Sequence, residues 1–258
     1  MNRVEQEIKL SRLVCKNRLI RSAVHSFLGD TQGQMTEAEF AMYETLAANG
    51  IGMIITGHCN VSPKGKANEE QIGIFSDRYI PQFKKAAKIV QQQGAKFIVQ
   101  ISHAGPRAVG QEELVDVVDR ELKKNRQARE LTLAEISGIE QDFIAAAKRL
   151  QQAGVDGVQL HAAHSYLLSR FLDKTFNQRQ DAYGGSVENR FRICAEIITG
   201  IKAACGDDFP VLIKLNNDSK TEDEAYAADM VYMLRRCKAL GVELAECSGV
   251  DFLAKKRE

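Results

Sequence analysis

One local pattern recurs along the chain and limits its folds more than any other feature. An amphipathic stretch ends at a glycine, and a short apolar run follows. Ala48-Asn49-Gly50 leads into Ile51-Gly-Met-Ile-Ile-Thr56, and Gln92-Gln93-Gly94 into Lys96-Phe-Ile-Val-Gln100. Gln152-Ala153-Gly154 leads into Val155-Asp-Gly-Val-Gln-Leu160, and Ala239-Leu240-Gly241 into Val242-Glu-Leu-Ala-Glu246. Glycine after a helix supplies a left-handed residue at little steric cost. A short apolar run after it reads as a strand covered on both faces. Helix starts are marked by Thr-x-x-Glu capping boxes at Thr36-Glu-Ala-Glu39, Thr132-Leu-Ala-Glu135 and Thr221-Glu-Asp-Glu224, with Ser186 as a fourth cap. The predicted strands are 19–23, 51–56, 96–101, 155–160, 211–215 and 242–247. The predicted helices are 37–48, 80–93, 133–153, 187–204 and 222–240.

Strict alternation of strand and helix implies a parallel sheet with right-handed crossovers. A doubly wound sheet and a closed barrel both satisfy it. A doubly wound sheet usually carries Gly-x-Gly-x-x-Gly after its first strand. None follows 19–23, so the α/β fold expected is a β/α barrel of the TIM (β/α)8 type. The 258 residues suffice for one such core, and a single domain over 1–258 is expected. A net charge of +1 gives no electrostatic basis for binding nucleic acid or an anionic membrane. No apolar run is long enough to span a bilayer and the N-terminus has no apolar signal core, so the expected location is cytoplasmic. Six cysteines without a C-x-x-C pair read as buried reduced thiols rather than a zinc or iron–sulfur site. The charged stretch 119–130 reads as a solvated loop or helix.

The five histidines gather the chemistry. His25, His58 and His103 each follow a predicted strand by two residues, His161 follows its strand directly, and His164 comes three later. All five are expected at the C-terminal face of the sheet, where barrels carry their active sites. A metal centre is one reading, since imidazole suits zinc, but there is no His-x-His pair and no His-Glu-x-x-His helix. Activation of a carbonyl is the other: two imidazole N–H groups aimed at one oxygen stabilise charge developing there. Tyr166, protonated at neutral pH, can then serve as general acid. Such a set suits conjugate reduction, with hydride added at the β-carbon and a proton at the α-carbon.

The run His161-Ala-Ala-His-Ser-Tyr-Leu-Leu-Ser-Arg-Phe-Leu172, followed by Asn177-Gln-Arg-Gln-Asp181-Ala-Tyr-Gly-Gly-Ser-Val-Glu-Asn-Arg190, resembles the signature of the Old Yellow Enzyme family of NADH:flavin oxidoreductases and ene-reductases. Lys16-Asn-Arg-Leu-Ile20, Gly52-Met-Ile-Ile-Thr56 and Gln100-Ile-Ser-His-Ala-Gly105 agree in order, so the resemblance covers essentially the whole chain. It implies a (β/α)8 barrel holding FMN, reduced by NAD(P)H and passing hydride to an electron-poor alkene of the enone or enoate type. It implies that His161 and His164 bind the substrate carbonyl and that Tyr166 donates the proton. It implies flavin contacts from Gln100, from the backbone at Ala23 and Gly57, and from Lys214, which stands where the family has an arginine. It implies no metal. The chain departs from the family's pattern at Ala23-Val24-His25, where Pro-Met is usual, at Pro106 before Arg107, and at Ser165, where glycine is usual. Arg179, Asp181 and Arg190 are expected to tie down the long loop, with Gly184 and Gly185 in a turn.

The strand count reaches six where a barrel needs eight. Only Val250 to Glu258 remains after Gly249, so units seven and eight, with their phosphate-binding loops, are expected to be absent. Open edges and bared apolar faces would then favour association, including a homo-oligomer. Two further readings stay open beside the flavin ene-reductase: a non-catalytic fragment of the family with weak or no FMN binding, and a metal-dependent barrel hydrolase.

Overall fold

A computed structural model describes residues 3–122, 125–217 and 224–249. Its core is one parallel sheet of β1 (Ile20–Arg21), β2 (Met53–Ile55), β3 (Lys96–Ser102), β4 (Gly157–Ala162), β5 (Val211–Asn216) and β6 (Leu244–Ser248), with the short strand Cys59–Asn60 added beside β3. The helices are α1 (Glu37–Ala48), α2 (Ile80–Gln91), α3 (Leu133–Gln152), α4 (Leu167–Leu172), α5 (Val187–Cys205) and α6 (Glu224–Ala239). Spatial strand order equals sequence order, every neighbouring pair is parallel, and no strand switches direction of winding. A doubly wound sheet reverses its order at a switch point. This one curls the same way throughout, as an incomplete (β/α) barrel.

The four expected helix-ending glycines all have left-handed backbones, with φ of +88° at Gly50, +71° at Gly94, +80° at Gly154 and +73° at Gly241. Thr132 forms the full capping box with Glu135, and Ser186 caps α5 through the Asn189 N–H. Thr36 does not cap α1 with its side chain. Its hydroxyl donates to the Leu28 carbonyl at 2.6 Å, while Glu39 accepts from Ser26 at 2.5 Å. The Thr221 box falls largely outside the described residues.

Alternation along the strands separates two cores. Phe97, Val99 and Ile101 of β3, Val158 and Leu160 of β4, and Val211, Ile213 and Leu215 of β5 face the helices. On α3, Ile136, Ile139, Phe143, Ala146, Ala147 and Leu150 recur at helical spacing and meet that face. The intervening residues face the lumen. At its lower end Met53, Ile55, Ile98 and Leu212 pack on Leu13 and Cys15 of an N-terminal hairpin, Ile8–Lys9 paired with Val14–Cys15. Arg12 ties that hairpin to Glu243 at 2.6 Å, just ahead of β6.

The stretch 119–130 departs from expectation. Arg120–Leu122 and Arg126–Glu130 are strands, and with Leu114–Asp116 they form a small sheet beside the barrel; residues 123–124 lie outside the description. Ala128 is buried in it, and Arg129, on the same central strand, binds Glu113 and Glu135. Arg179 holds the neighbouring loop as expected, donating to the Val117 and Leu131 carbonyls at 3.0 and 2.8 Å and pairing with Asp181 at 2.6 Å. Arg190 donates to the Leu172 carbonyl and binds Asp229. All six thiols are free; Cys15, Cys59, Cys194 and Cys237 are buried, Cys205 is half-buried and Cys247 is exposed. Leu19 and Ile20, at the β1 edge, are 44% and 39% exposed. Among the described residues, no helix is long and apolar enough to cross a membrane.

Candidate active site

The upper lumen is polar. Gln100, Gln159, Lys214 and Glu246 follow Ile98, Gly157, Leu212 and Leu244 by one pleat repeat and form one chain of contacts. Gln100 Nε2 donates to Gln159 Oε1 at 2.7 Å, and Gln159 Nε2 donates to Glu246 Oε2 at 2.9 Å. Lys214 Nζ lies 3.0 Å from Glu246 Oε1 and 3.2 Å from Ser22 Oγ, which itself donates to Glu246. Burial opposes ionisation of Glu246, but hydrogen bonds from Ser22, Gln159 and Lys214, with the lysine's charge, hold its carboxyl below the usual range. Gln100 and Lys214 are 2% and 3% exposed. Ala23 is half-buried against the lower lumen cluster, and Gly57 lies beside Val24 and His25.

Above this layer sits an aromatic group. The His161 ring lies 4.7 Å from Tyr166 and 5.0 Å from His164 between centroids. His58 lies 5.9 Å from His161 and 5.2 Å from Tyr166, and His25 lies 4.9 Å from His58. β4 runs to Ala162, two residues beyond the expected end at 160, so His161 is a strand residue pointing into the lumen and not the first residue of a loop. Tyr166 returns to that ring because the chain turns sharply through His164 and Ser165, both left-handed with φ of +61° and +57°. Such backbone costs an L-residue of order 1–2 kcal/mol and marks a geometry held by its surroundings. Here the Tyr166 N–H bonds the Ala163 carbonyl, and the His164 N–H bonds Asn216 Oδ1 at 3.0 Å.

The protonation pattern is uniform. Burial, followed by the charges of His58, His164 and Lys214, pushes the His161 pKa well below its ordinary value. Burial and Lys214 lower that of His164. Burial raises the Tyr166 phenol, with Arg107 opposing it, so the phenol keeps its proton. His161 Nδ1 accepts the Ala163 N–H at 3.4 Å, which leaves Nε2 as the protonated nitrogen of the neutral ring. His164 is held through Nε2, 2.8 Å from Ser248 Oγ. The two histidines are therefore not equivalent.

His103 stands apart. It is buried against Gly65, its Nδ1 accepts the Gly105 N–H, and its carbonyl receives the Leu167 N–H. Its place after β3 suggested membership of the cluster, but its contacts anchor the start of α4. Arg107 is exposed. Sequence reasoning did not single out Glu246 or Gln159. The alternation of β6 is the signal that marks Glu246, since it shares the lumen side with Leu244 and Ser248.

Comparison with known proteins agrees with this fold. A family model for NADH:flavin oxidoreductase / NADH oxidase matches residues 6–257. An NADPH dehydrogenase of Listeria monocytogenes serotype 4b is 32% identical over 251 residues, covering 96% of this chain and 73% of the relative. A 2-naphthoyl-CoA reductase, in complex with 2-naphthoyl-CoA, superposes with a TM-score of 0.91 at 27% identity, covering 97% of this chain but 41% of that one. An Old Yellow Enzyme homologue from Zymomonas mobilis superposes with a TM-score of 0.87 at 25% identity, covering 95% of this chain and 72% of that one. The chain belongs to the NADH:flavin oxidoreductase / NADH oxidase family, oxidoreductases that use FMN and a reduced nicotinamide.

Proposed function

We propose that this chain is an FMN-dependent reductase for alkenes conjugated to a carbonyl. The observation that carries the reading is the grouping of His161, His164 and Tyr166 at the C-terminal end of β4, with neutral imidazoles and a protonated phenol around one lumen.

The residues below fit the cofactor. The pyrimidine edge of a flavin alternates acceptors with one N–H, so it calls for donors and an acceptor together. Gln100 offers an amide with both functions, and Lys214 offers an ammonium; both are buried in the upper lumen, below the aromatic group. The backbone at Ala23 and Gly57 is assigned the remaining flavin contacts on the family resemblance alone. FMN supplies a two-electron store that is filled by the nicotinamide. Lys214 favours negative charge beside it, moderated by its pairing with Glu246.

The side chains above act on the alkene. His161 Nε2–H and the His164 ring hold the carbonyl oxygen and stabilise the negative charge that gathers there on reduction. Tyr166 gives its proton to the α-carbon and regains one from solvent. Low pKa values at His161 and His164 make them hydrogen-bond donors rather than acids, so the proton comes from Tyr166. The neighbour bound to 2-naphthoyl-CoA fits this class, since that thioester carbonyl is conjugated with carbon–carbon double bonds.

The test is product analysis in deuterated water. The protein with FMN and NADPH is incubated with 2-cyclohexenone. The expected product is cyclohexanone with one solvent deuterium at the α-carbon and none at the β-carbon. Continued NADPH oxidation with no reduction of the enone contradicts the alkene assignment.

A further inference from the structure

Two rings of the aromatic group, His25 and His58, neither hold the carbonyl nor give the proton, and of the two it is His58 whose ring nitrogen lies beside the Tyr166 phenol. His58 lies in the turn after β2 and is half-buried. Its orientation is set by Gln71, which is fully buried. Gln71 Oε1 accepts the Ala67 N–H at 2.6 Å, and this fixes which end of the amide is oxygen. The other end, Nε2, therefore faces His58 Nδ1 at 2.6 Å, the His58 carbonyl at 3.1 Å and Ser102 Oγ at 3.2 Å. An amide NH2 donates and does not accept. His58 Nδ1 must accept, and the proton of the neutral ring must sit on Nε2. That nitrogen is 3.4 Å from the Tyr166 phenol oxygen.

We propose that His58 is the positioning residue for Tyr166: locked by Gln71 with its proton on Nε2, it donates a hydrogen bond to the phenol oxygen. The bond has two consequences. It occupies a lone pair of the phenol oxygen, so the phenol's own proton is free for the substrate. It also stabilises the phenolate left behind when that proton moves to the α-carbon. No further oxidant or reductant is involved; the proton leaves Tyr166 and is replaced from solvent. At 3.4 Å the contact is long, and it has room to shorten as charge develops on the oxygen. A protonated His58 would turn an Nδ1–H against the Gln71 amide hydrogens. Burial, and then the charges of His25, His164 and Lys214, oppose that state and hold its pKa down to about 3. His58 thus stays a neutral donor and does not compete with Tyr166 as the acid.

The inference rests on the proton-donor role of Tyr166, and the test separates the two. The full chain, labelled with 15N-histidine, is measured by NMR between about pH 6 and 8. The His58 resonances are assigned by their loss in His58→Gln. The expected state is neutral, with Nε2 protonated and Nδ1 bare, and the Nε2–H signal moves in Tyr166→Phe. A proton on Nδ1, or an imidazolium, overturns the proposal. In rapid mixing of the FMN-loaded protein, His58→Ala is expected to slow reoxidation by 2-cyclohexenone by about ten- to a hundredfold, the scale of one hydrogen bond to a charged group. Flavin reduction by NADPH should change by less than about twofold on the same argument, since no phenolate forms there. His58→Gln, whose amide nitrogen can reach the place of Nε2, is expected to recover part of the loss. Equal slowing of both half-reactions means a merely structural role and overturns the proposal. If Tyr166→Phe slows reoxidation and His58→Ala does not, this inference alone falls. If Tyr166→Phe leaves reoxidation untouched, the proton-donor reading falls first.

Discussion

The same strands line two unlike halves of one lumen. Below, Met53, Ile55, Ile98 and Leu212 close on Leu13 and Cys15 of the hairpin, with no polar side chain among them. One pleat repeat higher, Gln100, Gln159, Lys214 and Glu246 form a hydrogen-bonded chain. Successive lumen-facing residues on a strand are two apart in sequence, so the change from apolar to polar takes place within one step. The lower half is held by removal of apolar surface from water. The upper half buries polar groups and is stable only because each finds a partner. Barrels keep chemistry at the C-terminal face and stability at the other, and here the boundary runs between Ile98 and Gln100, and between Leu212 and Lys214.

This contrast can be broken from either side. Ile98→Ala removes a fully buried side chain from the lower half, and the expected cost is about 4 kcal/mol of unfolding free energy. Chemical denaturation measures it. The ratio of the two flavin half-reactions should not move, and a large change in that ratio would mean that the halves are not separate. Lys214→Met leaves Glu246 with its ion-pair partner gone, at an expected cost of about 3 kcal/mol. The double variant Lys214→Met, Glu246→Leu should recover most of that stability while still weakening FMN retention. If the double variant is no more stable than the single one, the pair is not what holds the upper layer. Ser165→Gly is the smallest change and the only stabilising one. It relieves a left-handed backbone at φ +57°, and a gain of about 1 kcal/mol is expected in thermal or chemical unfolding, with the Tyr166 function kept.

The parts of the molecule readable from sequence are those set by local chemistry. The four glycines after helices announced their left-handed backbones, and the apolar runs behind them announced a parallel sheet. The His161–Tyr166 segment was legible because its histidines and tyrosine lie so close in the chain. Features set by distant partners were not. Thr36 carries the same Thr-x-x-Glu signal as Thr132, yet its hydroxyl goes to the Leu28 carbonyl and Glu39 goes to Ser26. The start of β4 moved from 155 to Gly157 because pairing with Ile98 and Val211 sets its register, while Val155 still belongs to the turn after α3. The charged stretch 119–130 gave no strand pattern; its pairing with Leu114–Asp116 comes from the packed neighbourhood. Glu246 as partner of Lys214, and Gln71 as the lock on His58, join residues on separate strands and loops that no spacing in the sequence links.

The central claim is that Tyr166 supplies the proton at the α-carbon while His161 and His164 hold the carbonyl. Rapid-mixing spectroscopy of Tyr166→Phe, with each half-reaction followed separately through the flavin absorbance, tests it most directly. Loss of a general acid costs about a hundred- to ten-thousandfold. The account predicts that loss in reoxidation by 2-cyclohexenone, with flavin reduction by NADPH unchanged. Equal rates of reoxidation in the variant and the native protein, or equal loss in both half-reactions, would contradict it.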